Sequence, residues 1–421
     1  MKLCQLLANQ IRGEVFGVSF RGIARKNPKD FTRNRKMPLE GLIFYMITSL
    51  KCSTASSLRR FFACIGMAVT MKQQSFSDAR AKVRVEAVAH LFNLTARTMT
   101  ENCNKKWHGY RVYAVDGSKI ALPTDKKLLK FYGALGKGKT APTAQGSILY
   151  DVLNGIVADA AIAPLSACER ALAKSHLDAC VKLDPYGKKL VIFDRGYASF
   201  ELIEMLEQMG IHYVFRVKKA FNNDVDAQRE PDGYVALIKG AKRIRVRVIK
   251  FMLDSGEEEV LVTNITDKRL GKKAFKKLYF MRWPVETKYD MVKNKLQLEN
   301  FNTRTVEGIV EGIQQDFYAI MLLSNIAASA VIDVQGDIDN ERNDKGNKYR
   351  YKANMNELIG ILKDRLIFAL IQDSPDICAR IIDSIQEEIK ANVVPIKPNR
   401  TVIRNNSPRK SKFHHNKKAN C

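Results

Sequence analysis

A chain of 421 residues, 46% of them hydrophobic, is long enough for one large domain with smaller flanking regions and too long for a single small module. Its 70 Lys and Arg against 44 Asp and Glu give a formal charge of +26, a field that attracts polyanions and puts nucleic acid first among the partners to consider. The eight cysteines form no Cys-x-x-Cys pair and no zinc-finger spacing, which excludes a zinc module and fits reduced thiols in a cytoplasm, and no apolar run reaches signal-peptide length or the roughly 18 residues of a membrane span.

Residues 1 to about 105 are expected to be helical, with apolar residues three and four apart in PLEGLIFYMITSL and DARAKVRVEAVAHLFNLTARTM. Between the first helices lies RGIARKNPKDFTRNRK, seven Lys and Arg against one Asp; it reads either as a solvated connection or as an arm that contacts DNA. The period changes at Tyr110, where YRVYAVDGSKIAL alternates as a strand does, and KLVIFDRGYAS is a short continuous apolar run of the kind found in buried strands. GSILYDVLNGIVADAAIAP adds strands and ACERALAKSHLDACVKL a helix, so this section reads as an α/β core. From about His212 to Ile265 a second β-rich region follows. In it Arg243, Arg245 and Arg247 share one strand face, opposite Ile244, Val246 and Val248, so that one face packs and the other is either merely solvated or able to meet phosphate.

Helices are expected from about Lys272 to Lys295 and from Val306 to Val331. The polar segment DVQGDIDNERNDKGNKYRYKANMNE then reads as a linker, followed by short helices from NELIGILKDRLIFALIQ onward. From Ala391 to Cys421 there are eight Lys and Arg, no acid and three prolines, the composition of a disordered basic extension.

Asp116 in VYAVDGS and Asp194 in VIFDRGY stand at the ends of two candidate core strands. A carboxylate ending an apolar strand is costly to bury and takes a cation, a hydrogen-bond network or solvent. Two such ends in one sheet can lie side by side, where a hard cation such as Mg²⁺ or Mn²⁺ would relieve their repulsion. Taken singly, an Asp in such a place is more often a turn or cap residue. The more specific element is KKLYFMRWPVETKYDMVKNKL, in which Tyr279, Arg282, Glu286 and Lys293 follow the pattern Tyr-x2-Arg-x3-Glu-x6-Lys. At about 100° per residue these offsets fall on one helix face, offering a carboxylate flanked by two cations and a phenol. Such a face suits phosphodiester chemistry, though a surface helix with an ordinary Arg282–Glu286 pair uses the same residues. Pro284 weakens the one-face reading, because a helix starts or kinks at a proline.

These segments resemble the DDE transposases of bacterial insertion sequences, specifically the IS-4 type with its Tyr-Arg-Glu-Lys signature. The similarity rests on VDGSKIALP, LYDVLNG, FDRGY and YFMRWPVETKYDMVK, with FTRNRKMPLEGLIFYMI and SFSDARAKV like that family's N-terminal region, and it extends over about residues 30 to 330. The resemblance implies an α/β fold: a ribonuclease-H-like mixed sheet flanked by helices, with a β-rich insertion and a helical N-terminal domain. On that reading residues 1–105 form a DNA-binding region and 106–335 the catalytic domain, with the insertion at about 205–270. Residues 336–390 are linker and C-terminal helices, and 391–421 the basic tail.

The resemblance further implies that Asp116, Asp194 and Glu286 are catalytic and bind two Mg²⁺ ions, with Mn²⁺ able to substitute, and that Tyr279, Arg282 and Lys293 contact DNA phosphate. In the family reaction water attacks a phosphodiester at the element end, and the freed 3′-OH then attacks another. The implied partners are double-stranded DNA, as terminal inverted repeats and as target, and a second copy of the chain holding the paired ends. The implied setting is the bacterial cytoplasm, at the nucleoid. Two alternatives stand beside this reading: a ribonuclease-H-like nuclease that cuts without joining, and a non-catalytic DNA-binding protein derived from a transposase.

Overall fold

The computed structural model describes residues 1–397 except 34, 50, 68–70, 137, 139, 254–255, 302–307 and 345–346. The tail expected to be disordered therefore lies, from residue 398 on, outside the described residues. In chain order the elements are α1 (Leu3–Phe16), α2 (Val18–Ala24), α3 (Leu39–Thr48), α4 (Thr54–Cys64), α5 (Gln73–Arg80), α6 (Val85–Asn102), β1 (Arg111–Ala121), α7 (Lys126–Tyr132), β2 (Thr143–Asp151), β3 (Ile156–Pro164), α8 (Glu169–Leu183), β4 (Lys189–Phe193), α9 (Phe200–Gln208), β5 (His212–Val217) and α10 (Asn223–Ala227). They continue with β6 (Asp232–Lys239), β7 (Lys242–Met252), β8 (Glu258–Thr263), α11 (Lys272–Phe280), α12 (Trp283–Asp290), a π-helical turn (Met291–Lys295), α13 (Ile309–Asp344), β9 (Tyr351–Ala353), α14 (Met355–Leu370), α15 (Pro375–Ala391) and β10 (Val393–Pro395).

The chain divides into two compact units: Cys103–Lys119 with Gln145–Asp290, and Met1–Asn102 with Ile120–Ala144 and the chain from Met291 onward. The first carries an eight-stranded sheet in the order β3-β2-β1-β4-β5-β8-β7-β6. Strand β4 lies parallel to both β1 and β5, whereas β8, β7 and β6 follow antiparallel. This is a mixed sheet flanked by helices, and its 3-2-1-4-5 half is the order of a ribonuclease-H-like core. Strands β6 to β8, read as a β-rich insertion, continue this sheet beyond β5.

The apolar run of β4 follows from burial on both faces. Odd-numbered Tyr113, Val115, Val191, Phe193, Tyr213 and Phe215 pack with Leu177 of α8 and Leu202 and Leu206 of α9. Even-numbered Val112, Leu190, Ile192 and Val214 pack on the other side with Phe275 and Leu278 of α11. Strand parity thus decides which helix layer each side chain meets.

In the second unit α13 is the central helix, packed against α1, α3, α6 and α15. It is long and apolar enough to cross a membrane by length and composition, but it is mostly buried within the unit, as a core helix is. Two expectations need correcting. Residues 333–344 are not a linker, because Val334 and Ile338 are buried at 1% exposure and carry the i, i+4 stripe on through polar sequence, so α13 runs to Asp344. Nor is the chain irregular directly after Ala391, since Val393–Pro395 pairs antiparallel with Tyr351–Ala353. Among the described residues Cys4, Cys64, Cys103, Cys168, Cys180 and Cys378 are free thiols.

Candidate active site

Strand register brings two of the candidate carboxylates together. Ala114 on β1 is level with Ile192 on β4, so two residues further along each strand Asp116 and Asp194 stand at neighbouring positions. Both share the even parity of Val112 and Ile192, so both face the side of the sheet that α11 covers. Immediately after Asp116 space is tight: a Cβ on Gly117 would stand 2.7 Å from Gln145 Nε2, the end of a flexible side chain, and 3.4 Å from Glu169 Oε1.

Glu286 arrives from the same side on α12. Its Oε1 accepts from Arg282 Nη2 at 2.5 Å, and Arg282 Nη1 lies 3.8 Å from Asp116 Oδ1. The Arg282 side chain is only 10% exposed, and its charge is held by Tyr279, Asp116, Asp194 and Glu286 around it. One guanidinium thus stands among three carboxylates, where it offsets their mutual repulsion. The balance is incomplete at Asp116: burial first, then Glu286 and Asp194, raise its carboxyl from 3.8 to about 6 against the pull of Arg282 and the Gly117 N–H. Asp194 accepts from the Arg195 N–H at 2.7 Å.

The four signature residues are not on one straight helix. α11 ends at Phe280 and α12 begins at Trp283, because Pro284 has no N–H to give and is tolerated only in a first turn. Tyr279 is on α11 and still reaches Arg282, while burial raises its phenol pKa. Lys293 falls in the π-helical turn, in the other unit, and lies 3.6 Å from Glu299. Trp283 is half exposed at the head of α12.

The three arginines of β7 separate. Arg243 and Arg245 are exposed, the latter stacked 4.6 Å above Tyr234. Arg247 is buried; its guanidinium is taken by Asp232 at 2.6 and 2.7 Å and by the carbonyls of Ile265, Asp267 and Leu270. The expected phosphate contact is therefore corrected for Arg247, whose donors are spent inside the fold.

Hard oxygen donors on converging elements are the donor chemistry a divalent cation requires; burial, and after it Glu286 and Asp194, raise the carboxyl of Asp116. Among the described residues no three His, Cys, Asp or Glu side chains close around one point. Arg282 holds Asp116 and Glu286 instead. The residues fit the cation in chemistry, with the guanidinium as its competitor.

Sequence reading passed over a buried polar set behind the site. The carbonyl of Asp116 accepts from Tyr289 Oη at 3.1 Å and lies 3.5 Å from Ser147 Oγ. Ser147 meets His176 Nε2 at 2.9 Å, and His176 Nδ1 meets Asp159 Oδ2 at 2.8 Å. Only Tyr289, three residues beyond Glu286 on the same helix, carried a signal that could have been seen.

A ribonuclease-H-like sheet whose strand ends gather carboxylates around an arginine defines the nuclease and transposase class of enzymes. A family model described as "Transposase DDE domain" matches residues 107–322, just over half of the chain, and the chain belongs to that family. It is similar to "Putative transposase InsZ" of Escherichia coli (strain K12), 25% identical over 146 residues that cover 33% of this chain and 47% of that one; the match thus spans about half of the relative's length. It is also similar to a piggyBac transposase synaptic complex with hairpin DNA solved by cryo-EM, at 10% identity and a TM-score of 0.48 over 94% of this chain and 87% of the other.

Proposed function

We propose that the chain is an active IS-4-type transposase with the Tyr-Arg-Glu-Lys signature, which cuts DNA at the terminal inverted repeats of its element and joins the freed ends to target DNA. The observation that carries this is the convergence of Asp116 and Glu286 on Arg282, with Asp194 at the next strand end. Asp116, Asp194 and Glu286 are the residues that would hold Mg²⁺, or Mn²⁺ in its place, as two ions that supply nucleophile activation and neutralise the leaving oxygen.

The chain's own groups do the rest. Asp116, its carboxyl raised to about 6 chiefly by burial, is ionised above that pH and then offers the charged oxygens a cation would need. Arg282, once released from Glu286, has a planar fork suited to a phosphate. Tyr279, beside it, orients that fork, and Lys293 offers a further cation on the same stretch of chain. Arg243 and Arg245, exposed on β7, extend the phosphate contacts along the duplex.

In the helical unit a cleft of about 1210 Å³ is lined by Arg33, Arg35, Lys36, Lys72 and Lys82, among others. It supports the role of residues 1–105 in holding the DNA ends. Two ends held together call for two copies of the chain, so the working form on the nucleoid is a homodimer.

The test incubates the purified full-length chain with DNA carrying the inverted repeats that flank its gene, with and without Mg²⁺, beside Glu286→Ala. Metal-dependent cuts at the repeat ends and joined products are expected, both lost in the variant while duplex binding persists. Cuts without joined products would move the reading to a nuclease. Binding without cuts would move it to a DNA-binding protein derived from a transposase, and undiminished cleavage by Glu286→Ala would sink the site assignment.

A further inference from the structure

Two links join the strand that carries Asp116 to the helix that carries Glu286, and they differ in kind. The first is Arg282, which reaches both carboxylates at 3.8 and 2.5 Å. A cation binding those carboxylates competes directly with it. The second is Tyr289, whose hydroxyl donates at 3.1 Å to the main-chain carbonyl of Asp116. It engages no carboxylate oxygen and so competes with no cation.

Tyr289 is built for this. It sits three residues beyond Glu286 in α12, one turn along the same face, and is 6% exposed. The bond to the carbonyl satisfies this buried hydroxyl, whereas the buried hydroxyl of Tyr197 has no hydrogen-bond partner among the described residues. Ser147, 1% exposed on β2, lies 3.5 Å from the same carbonyl, but its one proton goes to His176, so it packs beside the carbonyl without bonding it. Ser147 is held in turn by His176, fully buried on α8, and His176 by Asp159 on β3. Although this is a Ser-His-Asp array, its serine is closed to solvent and so has no access to a substrate.

We propose that Tyr289 is a positioning residue that sets the spacing between Asp116 and Glu286 and keeps it when a divalent cation displaces Arg282. The inference rests on the carboxylate site described under the proposed function. It assigns to a residue outside the Tyr-Arg-Glu-Lys signature the task of holding the cation donors in place. Partners that orient metal ligands typically contribute about 10- to 100-fold in affinity.

The experiment measures Mn²⁺ binding by electron paramagnetic resonance on the full-length chain, with and without duplex DNA, for the wild type, Asp116→Asn and Tyr289→Phe. Thermal melting is recorded alongside. Tyr289→Phe keeps the ring and its burial, so it is expected to remain folded, to bind duplex as before and to need about tenfold more Mn²⁺ for half-saturation. A variant that melts earlier yet binds Mn²⁺ as the wild type does, far below its melting temperature, has lost only a structural contact, and that overturns the proposal. If Tyr289→Phe does not fold, Tyr289→Met, which fills much of the same space without a donor, takes its place: a rightward shift of at least about twofold supports the proposal, and no shift overturns it. Absence of Mn²⁺ binding by the wild type under every condition refutes the carboxylate site itself; equal binding by wild type and Tyr289→Phe refutes this inference alone.

Discussion

At the scale of single residues, Asp116 is a candidate site carboxylate whose charged form its surroundings disfavour. Its carboxyl titrates near 6 in the folded chain against an ordinary 3.8. Between those values the folded state binds the proton and the unfolded state does not, so this group's contribution is favourable at low pH and is lost as pH rises through about 6. Above that the ionised carboxylate is a burden of roughly 3 kcal/mol. Asp116→Asn is therefore expected to unfold at higher denaturant than the wild type at pH 8 without divalent cations, with the gain vanishing towards pH 4. Equal midpoints at pH 8 would mean that Arg282 already compensates the charge in full. The neighbouring positions of Asp116 and Asp194 were legible, because an apolar strand that ends in Asp at the rim of a sheet can be read from two short segments. The separation of Arg247 from Arg243 and Arg245 was not: strand parity treats the three alike, and only the fold brings Asp232 and three carbonyls over the last of them. The Ser147–His176–Asp159 set was equally hidden, since it draws on two strands and a helix that no periodicity connects.

At the scale of elements, the clearest departure is α13. The sequence from Asp333 to Asp344 is polar and contains Gly336, which costs a helix about 1 kcal/mol relative to alanine, so local propensity favours a linker. Tertiary contacts reverse the outcome. Asp333 accepts the N–H groups of Leu3 and Cys4 at 2.9 and 2.8 Å, satisfying donors that the first turn of α1 leaves open, and Val334 and Ile338 are buried. Ile338→Ala is accordingly expected to destabilise the chain by about 2–5 kcal/mol, whereas Glu341→Ala, exposed on the same helix, stays within about 0.5 kcal/mol. Urea unfolding of the two variants checks this, and matching small effects would restore the linker. The break between α11 and α12 was the opposite case. Pro284 announced it in sequence, but whether it bent one helix or divided two depends on packing that proline alone does not determine.

At the scale of the whole molecule, the charge of +26 is spread over several separated segments, so its sign alone says polyanion without saying where. The cleft of the helical unit narrows this. Arg33, Arg35 and Lys36 are exposed along it; of the two acids in its lining, Glu40 already pairs with Arg21 at 2.8 Å, and Asp78 stands against five or more cations. Each phosphate contact releases condensed counterions, so log affinity should fall linearly with log salt, with a slope near −0.9 per contact. The duplex affinity of the wild type is thus expected to drop steeply between about 50 and 200 mM salt. The combined change Arg33→Ala, Arg35→Ala and Lys36→Ala should flatten the slope by up to about three contacts, weakening specific and unrelated duplexes alike. Stability should change little, because exposed side chains away from caps and buried networks contribute within about 0.5 kcal/mol each. Fluorescence anisotropy across a salt series separates the outcomes. A slope that the triple substitution leaves untouched would move the duplex away from this cleft and onto other basic segments, with the exposed face of β7 next in line.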